Sequence, residues 1–243
     1  MKVHKPRPAG ADCATPSVQW TAQLSEFSTR VVCKLARSHA ERDAIFKLRY
    51  RSYVRGGLIT PNSFGRHIEP SDHAANAHLI GLYVGHRLVS SLRLQTSAVT
   101  NPTSSSLALF PDLLGPLLRG NKTVVDMSCV ATQGDLPSPH ALLSYLVSRC
   151  WIVAAEYFHA DYIAAAMKPQ HQLFYKRSLG CELHSDLRQL PHQRAPVGLV
   201  TLNFATRGQQ LYGNFPYLRS TARERHQLLA QERPHRGSVG SFL

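Results

Sequence analysis

Hydrophobic and polar positions along this chain fall into blocks whose period changes in a readable order. Residues 30–36 (R-V-V-C-K-L-A) are dense in apolar side chains and predict a first strand. Ser38-His39-Ala40-Glu41 places a hydroxyl at an N-cap and a carboxylate three positions on, so a helix is predicted from there to about Arg55. Gly56-Gly57 stops it, and Ala44, Ile45 and Leu48 share one of its faces. Residues 57–77 form a long polar connection carrying Pro61-Asn62, Gly65, Glu69-Pro70 and Asp72. Connections of that length inside a compact domain are commonly functional. Residues 78–84 and 88–95 are apolar, partly alternating runs joined by Gly85-His86-Arg87, and predict a hairpin.

Residues 107–118 suggest a short helix interrupted by Pro111 and Pro116. Residues 123–131 (T-V-V-D-M-S-C-V-A) predict a buried strand carrying one carboxylate. Ser138-Pro139 opens the longest helix, whose stripe is Leu142, Leu146, Cys150, Val153 and Tyr157. A short buried strand at 161–167, a helix from Pro169 to Gly180, and strands at 181–187 and 197–204 follow. The order predicts one α/β (α+β) domain with a mixed central sheet of about seven strands flanked by helices. Residues 1–28, rich in Pro, Ser and Thr, read as a flexible arm, residues 29–205 as the body, and 206–243 as a basic C-terminal helix and tail.

Composition narrows the partners. Lys plus Arg is 28 against 15 acidic residues, a net of +13, so the surface suits a polyanion or an acidic protein. The arginines are spread out, without a Lys/Arg block or an aromatic RNA-binding signature, so nucleic acid is not the expected partner. No apolar run reaches the roughly 18 residues of a membrane span, and no signal-peptide core follows Lys2 and Lys5, which predicts a cytoplasmic protein. Five widely spaced cysteines, an odd number without C-x-x-C, fit a reducing compartment. Thirteen histidines carry no metal-ligand spacing; His67, His73 and His78 read as loop histidines, and no metal is expected.

The chemistry comes into view through a resemblance. Phe174-Tyr175-Lys176-Arg177-Ser178-Leu179-Gly180-Cys181-Glu182 resembles the close of the GNAT acyltransferase fold. Leu48 to Val54 (L-R-Y-R-S-Y-V), then Gly57 to Asn62, then Glu69-Pro70-Ser71-Asp72, then Leu92-Arg93-Leu94 resemble, in order, the N-acyl amino acid synthases, the branch of that superfamily nearest the acyl-homoserine lactone (autoinducer) synthases. The resemblance covers roughly residues 30–205. It implies acyl transfer from an acyl-carrier-protein thioester to the amine of an amino acid, with a long fatty chain. Its substrate-binding residues fall on Arg49, Tyr53, Glu69, Asp72 and Arg93, and its carboxylate–x–Ser segment on Asp126 and Ser128. Where the family has an arginine after that serine, this chain has Cys129.

An α-amine is mostly protonated at neutral pH and must lose a proton before it attacks a thioester. Asp126 is the expected acceptor of that proton, directly or through water. Backbone N–H groups near Val130, where acyltransferases of this fold bulge the strand, are expected to hold the oxyanion. Tyr175 is expected to protonate the departing thiolate. Acetyl-CoA enzymes of the fold cradle pyrophosphate with a glycine-rich turn, whereas residues 131–139 (A-T-Q-G-D-L-P-S-P) hold one glycine, two prolines and an acid. A carrier protein brings only a phosphopantetheine arm and is acidic, so the donor expected here is acyl-phosphopantetheine on acyl carrier protein, with acyl-CoA as the alternative and no permanently bound cofactor. Arg149 and Arg177 are the expected carrier-protein contacts, and a monomer is expected. A homoserine-lactone-type signal synthase, a CoA-dependent GNAT enzyme and a silent GNAT-like nucleic-acid-binding module remain alternatives at this stage.

Overall fold

The computed structural model describes residues 18–134, 140–190 and 193–230. Seven strands form one sheet in the order β1-β2-β3-β4-β5-β7-β6. They are β1 (Val31–Leu35), β2 (Ala77–Val84), β3 (Arg87–Ser97), β4 (Val124–Thr132), β5 (Tyr162–Met167), β6 (Glu182–Arg188) and β7 (Val197–Asn203). Neighbours run antiparallel except β4 and β5, which are parallel. The predicted hairpin is β2–β3, and Gly85 at φ 58° supplies the positive φ its two-residue turn needs.

The first predicted helix is α2 (His39–Arg55), with the Ser38/Glu41 capping box formed at its start. Ahead of it, where a flexible arm was expected through residue 28, the chain is instead helical as α1 (Val18–Arg30), and Leu24 is buried in the core. The proline-interrupted segment resolves into two helices, α3 (Ser105–Leu109) and α4 (Pro111–Arg119). Pro111 sits in the first turn of α4, where no N–H is needed, and Pro116 lies inside the helix. The long helix is α5 (His140–Tyr157) and the next is α6 (Pro169–Leu179); the predicted N-cap at Ser138-Pro139 lies outside the described residues.

Two more helices, α7 (Phe204–Asn214) and α8 (Ala222–Leu229), follow β7. Leu211, Tyr212, Phe215, Leu218, Leu228 and Leu229 from this region join the main core. The expected boundary near residue 205 is therefore corrected: residues 206–230 complete the body instead of leaving it, because their apolar side chains need that core.

Alternation along the two central strands explains where the site lies. Leu92 and Leu94 of β3 and Val125 and Met127 of β4 point into the main core against α5, where the buried Trp151 donates its indole N–H to the Val125 carbonyl at 2.9 Å. Arg93 and Gln95 of β3, paired with Ser128 and Asp126 of β4, occupy the opposite face. Arg93, Gln95 and Asp126 are buried there, beneath α2, α3 and the 57–77 connection. A polar sheet face under cover is stable only where its groups are hydrogen-bonded.

Candidate active site

Helix α2 sets the first side chain. Ile45, Phe46, Leu48, Arg49 and Tyr53 are its buried residues, so an arginine occupies a position whose neighbours are core. Arg49 is 0% exposed and forks onto one carboxylate, Nη1 to Asp72 Oδ2 at 2.7 Å and Nη2 to Asp72 Oδ1 at 3.1 Å. The bidentate geometry is that of guanidinium on carboxylate.

Asp72 is held ready for that fork by the long connection. A 3-10 turn at Pro70–His73 puts Asp72 three residues after Glu69, and its Oδ2 accepts the Glu69 backbone N–H at 2.7 Å. Arg42 from α2 donates to the Asp72 carbonyl at 2.9 Å, fastening the turn to the helix.

Arg93 of β3 closes the cluster. Its Nη1 reaches Asp72 Oδ1 at 2.9 Å, its Nη2 reaches Glu69 Oε2 at 2.7 Å and Ser105 Oγ at 2.6 Å, and its Nε donates to Ser128 Oγ at 3.1 Å. Arg49, Tyr53, Glu69, Asp72, Arg93 and Ser128, picked from sequence, thus converge in one place. Burial works against the charge on Asp72, but the Arg49 and Arg93 guanidiniums keep its carboxyl below the usual range. Burial also opposes the charge on Glu69, and His67 and Arg93 nevertheless hold it well below its ordinary value. Glu69 is the charged member that reaches solvent, with 27% of its side chain exposed against 0% for Arg93 and Asp72.

The strand bulge falls where expected. Leu92 alone faces both Cys129 and Val130, since Ser91 pairs with Ala131 and Arg93 with Ser128. Cys129 adopts φ 53°, a conformation a side chain seldom takes, and Val130 is 37% exposed. The Cys129 thiol donates to Glu69 Oε2 at 3.4 Å, so bulge and carboxylate cluster adjoin. Burial pushes that thiol up to about 11, with Arg49 and Arg93 pulling the other way, so it is neutral and not a nucleophile. Next to the bulge the sheet parts: β4 and β5 pair only through Val124–Asp126 with Tyr162–Ala164.

Asp126 is not where the expected proton acceptor must be. Its carboxylate is 0% exposed and is closed off by Ser106, whose N–H donates to Oδ2 at 2.7 Å and whose hydroxyl donates to Oδ1 at 2.6 Å. The Ser106 hydroxyl in turn accepts the Ala166 N–H at 2.9 Å, bridging the parting strands. Burial raises the Asp126 carboxyl against these bonds. The residue anchors the start of α3, and both of its carboxylate oxygens are taken by Ser106.

Two other expectations change. Tyr175 lies in the main core, its ring edge-on to Trp151 and to Phe174, and burial, then Cys181, raises its phenol. Arg149 is committed inside the protein, to the carbonyls of Tyr217 at 2.9 Å and Arg219 at 3.2 Å and to Glu224 at 2.9 Å; it pins the C-terminal helices and is not a docking group. Arg177 is exposed on α6.

Sequence reasoning read His67 as a loop histidine and passed over Ser105 and Ser106. His67 Nε2 lies 3.3 Å from Glu69 Oε1 and its ring packs against Tyr53 at 5.2 Å between centroids. The histidines once grouped as His67, His73 and His78 part company, since His78 is buried against Phe158 and bonds the Asn76 carbonyl. A signal for the serines existed in Ser104-Ser105-Ser106, where Ser104 caps α3 through the Leu107 N–H.

Comparison with known proteins bears on the family and the fold. The family model described as N-acyl amino acid synthase FeeM matches residues 44–203. Among solved structures, FeeM, an N-acyl amino acid synthase from uncultured soil microbes, superposes with a TM-score of 0.62 at 20% identity, covering 76% of this chain and 98% of its own. The acyl-homoserine lactone synthase LasI superposes with a TM-score of 0.56 at 14% identity, covering 84% of this chain and 98% of its own. BjaI, a CoA-dependent acyl-homoserine lactone synthase solved with S-adenosylmethionine and isopentyl-CoA, gives 0.51 at 18% identity over 73% of this chain and 81% of its own. No curated protein matches the sequence.

Proposed function

The chain belongs to the N-acyl amino acid synthase family and is an acyltransferase of the GNAT fold, and from that premise we propose that it moves a long-chain fatty acyl group from an acyl-carrier-protein thioester to the α-amine of an amino-acid acceptor. The observation that carries this reading is the contact between Cys129, in the bulge at the parting of β4 and β5, and the Glu69 carboxylate. A thioester laid into the parted strands brings its carbonyl oxygen to the Val130 N–H, where the tetrahedral oxyanion gains a donor. The acceptor nitrogen then lies beside Glu69 and Ser128.

The amine must shed a proton to attack. Glu69, held far toward its ionised form by His67 and Arg93, is a weak base and a strong ammonium anchor. His67 Nε2–H faces the ionised Glu69, so the other ring nitrogen, Nδ1, is the one we assign to receive the proton, through water. Attack forms the C–N bond, the carbonyl electrons move onto oxygen and return, and the C–S bond breaks, with the thiolate leaving on the pantetheine arm. No covalent enzyme intermediate is required, in keeping with the neutral Cys129 thiol.

Two sequence features support the carrier-protein donor: the net charge of +13 and a 131–139 segment poor in the N–H groups that hold pyrophosphate. The 135–139 part of that segment lies outside the described residues. Expression in a bacterial host followed by mass spectrometry of the lipid extract tests the reading. N-acyl amino acids absent from cells carrying an Arg93→Ala control are the expected result. An extract with no new N-acyl species, from cells containing folded protein, would overturn it. A homoserine lactone head group would move the chain to the signal-synthase branch.

A further inference from the structure

We infer that this enzyme recognises its acceptor through the ammonium group alone, and that Cys129 is the residue that makes it indifferent to the acceptor's carboxylate. The inference rests on the acyl-transfer reading above and narrows its acceptor.

The argument is a charge and donor account. Arg49 and Arg93 face Asp72 and Glu69, two cations against two anions, so these groups cancel. Each terminal guanidinium nitrogen already has a partner, and both arginine side chains are 0% exposed. Nη1 and Nη2 of Arg49 serve Asp72, and all three nitrogens of Arg93 serve Asp72, Glu69, Ser105 or Ser128. The remaining nitrogen, Arg49 Nε, has no partner but is sealed from solvent. A free carboxylate entering the groove would therefore meet no available guanidinium in this cluster. It would meet Glu69, the one member of the quartet with a solvent-facing carboxylate.

Cys129 decides this balance. Its thiol lies against Glu69 Oε2 at 3.4 Å, between that carboxylate and the exposed Val130 of the bulge. A cationic side chain at this position would neutralise Glu69 and leave a surplus positive charge for an acceptor carboxylate. The thiol, uncharged at neutral pH, does neither. Glu69 stays an anion whose unused capacity points to solvent, which suits an ammonium. Amino-acid esters, amides and decarboxylated amines therefore fit this groove at least as well as free amino acids.

The test compares kcat/KM for one amino acid, its methyl ester, its amide and the corresponding decarboxylated amine, with acyl carrier protein as donor. For the wild type we expect the three uncharged-end acceptors to match or exceed the free amino acid. Cys129→Arg should shift the ratio at least tenfold toward the free amino acid, chiefly through KM. A wild-type preference of tenfold or more for the free amino acid would overturn the inference while leaving acyl transfer intact. Absence of transfer to any of the four would overturn both. Because wild-type ratios decide the matter by themselves, the inference stays falsifiable even if Cys129→Arg fails to fold; Cys129→Ser, which keeps a small neutral donor, should retain the wild-type ratios.

Discussion

Arg93→Ala removes the guanidinium that joins three elements, and its cost can be worked from the contacts. The variant loses bonds to Asp72 at 2.9 Å, Glu69 at 2.7 Å, Ser105 at 2.6 Å and Ser128 at 3.1 Å. Asp72 keeps Arg49 and the Glu69 N–H, but two carboxylates then share one cation around a fully buried Asp72. Removing one partner from a buried ion pair costs about 3–5 kcal/mol, because the remaining charge is left desolvated. Against a total folding stability of about 5–15 kcal/mol, that is a large fraction. In a chain of this length each kcal/mol lowers the melting midpoint by about 2–4 °C, so a fall of about 6–20 °C is expected. Circular-dichroism melts and urea titrations at pH 7 measure it. Repeating them in Glu69→Gln and in the double variant gives the coupling, expected to exceed about 1 kcal/mol. N-acylation should vanish in Arg93→Ala even at temperatures where it remains folded. A variant that melts within 2 °C of the wild type, or one that is destabilised yet acylates at the wild-type rate, would refute the account of Arg93 as the shared brace of the loop and the site.

Asp126→Asn should lower stability by about 1–3 kcal/mol, since the charge-assisted bonds from Ser106 weaken, while the pH dependence of turnover keeps its shape; a rate defect that shrinks at high pH would return Asp126 to the role of base. His67→Gln should show that second pattern, with kcat depressed at neutral pH and recovering as free amine becomes abundant, and an equal defect at every pH would reassign His67 to positioning. Glu69 and Asp72 have lowered folded values, so their stabilisation is fully present above the ordinary carboxylate range near pH 4 and is lost as pH falls below it. Denaturation midpoints between pH 6 and 3 should therefore fall less steeply in Asp72→Asn than in the wild type, and parallel curves would count against the network as the acid-sensitive element.

Local chemistry written in the sequence settled a good part of this protein. Ser38 and Glu41 start α2 wherever it packs, because a capping box is satisfied within four residues. Period-2 runs around Gly85 make β2–β3. The family resemblance, not local chemistry, pointed to Arg49, Glu69, Asp72, Arg93 and Ser128, which folding brings together. The family resemblance placed the bulge near Val130 as well.

Other features depended on neighbours far along the chain. Helix α7 was invisible because Asn203 ends β7 and caps the helix at once, with no turn residues between them, while Gly208 and Gly213 weaken its helical signal. Helix α1 and the C-terminal helices belong to the body only because Leu24, Leu211, Phe215 and Leu218 find a core made by other elements. Asp126 has the sequence context of a catalytic acid, yet Ser106, 20 residues upstream, fills the space in front of it. Arg149 has the look of a surface cation, yet Tyr217, Arg219 and Glu224 claim it from 68 to 75 positions away. Side-chain type is a local property, but which of its hydrogen-bonding directions remain open is fixed only when the sheet and its covering helices close around it.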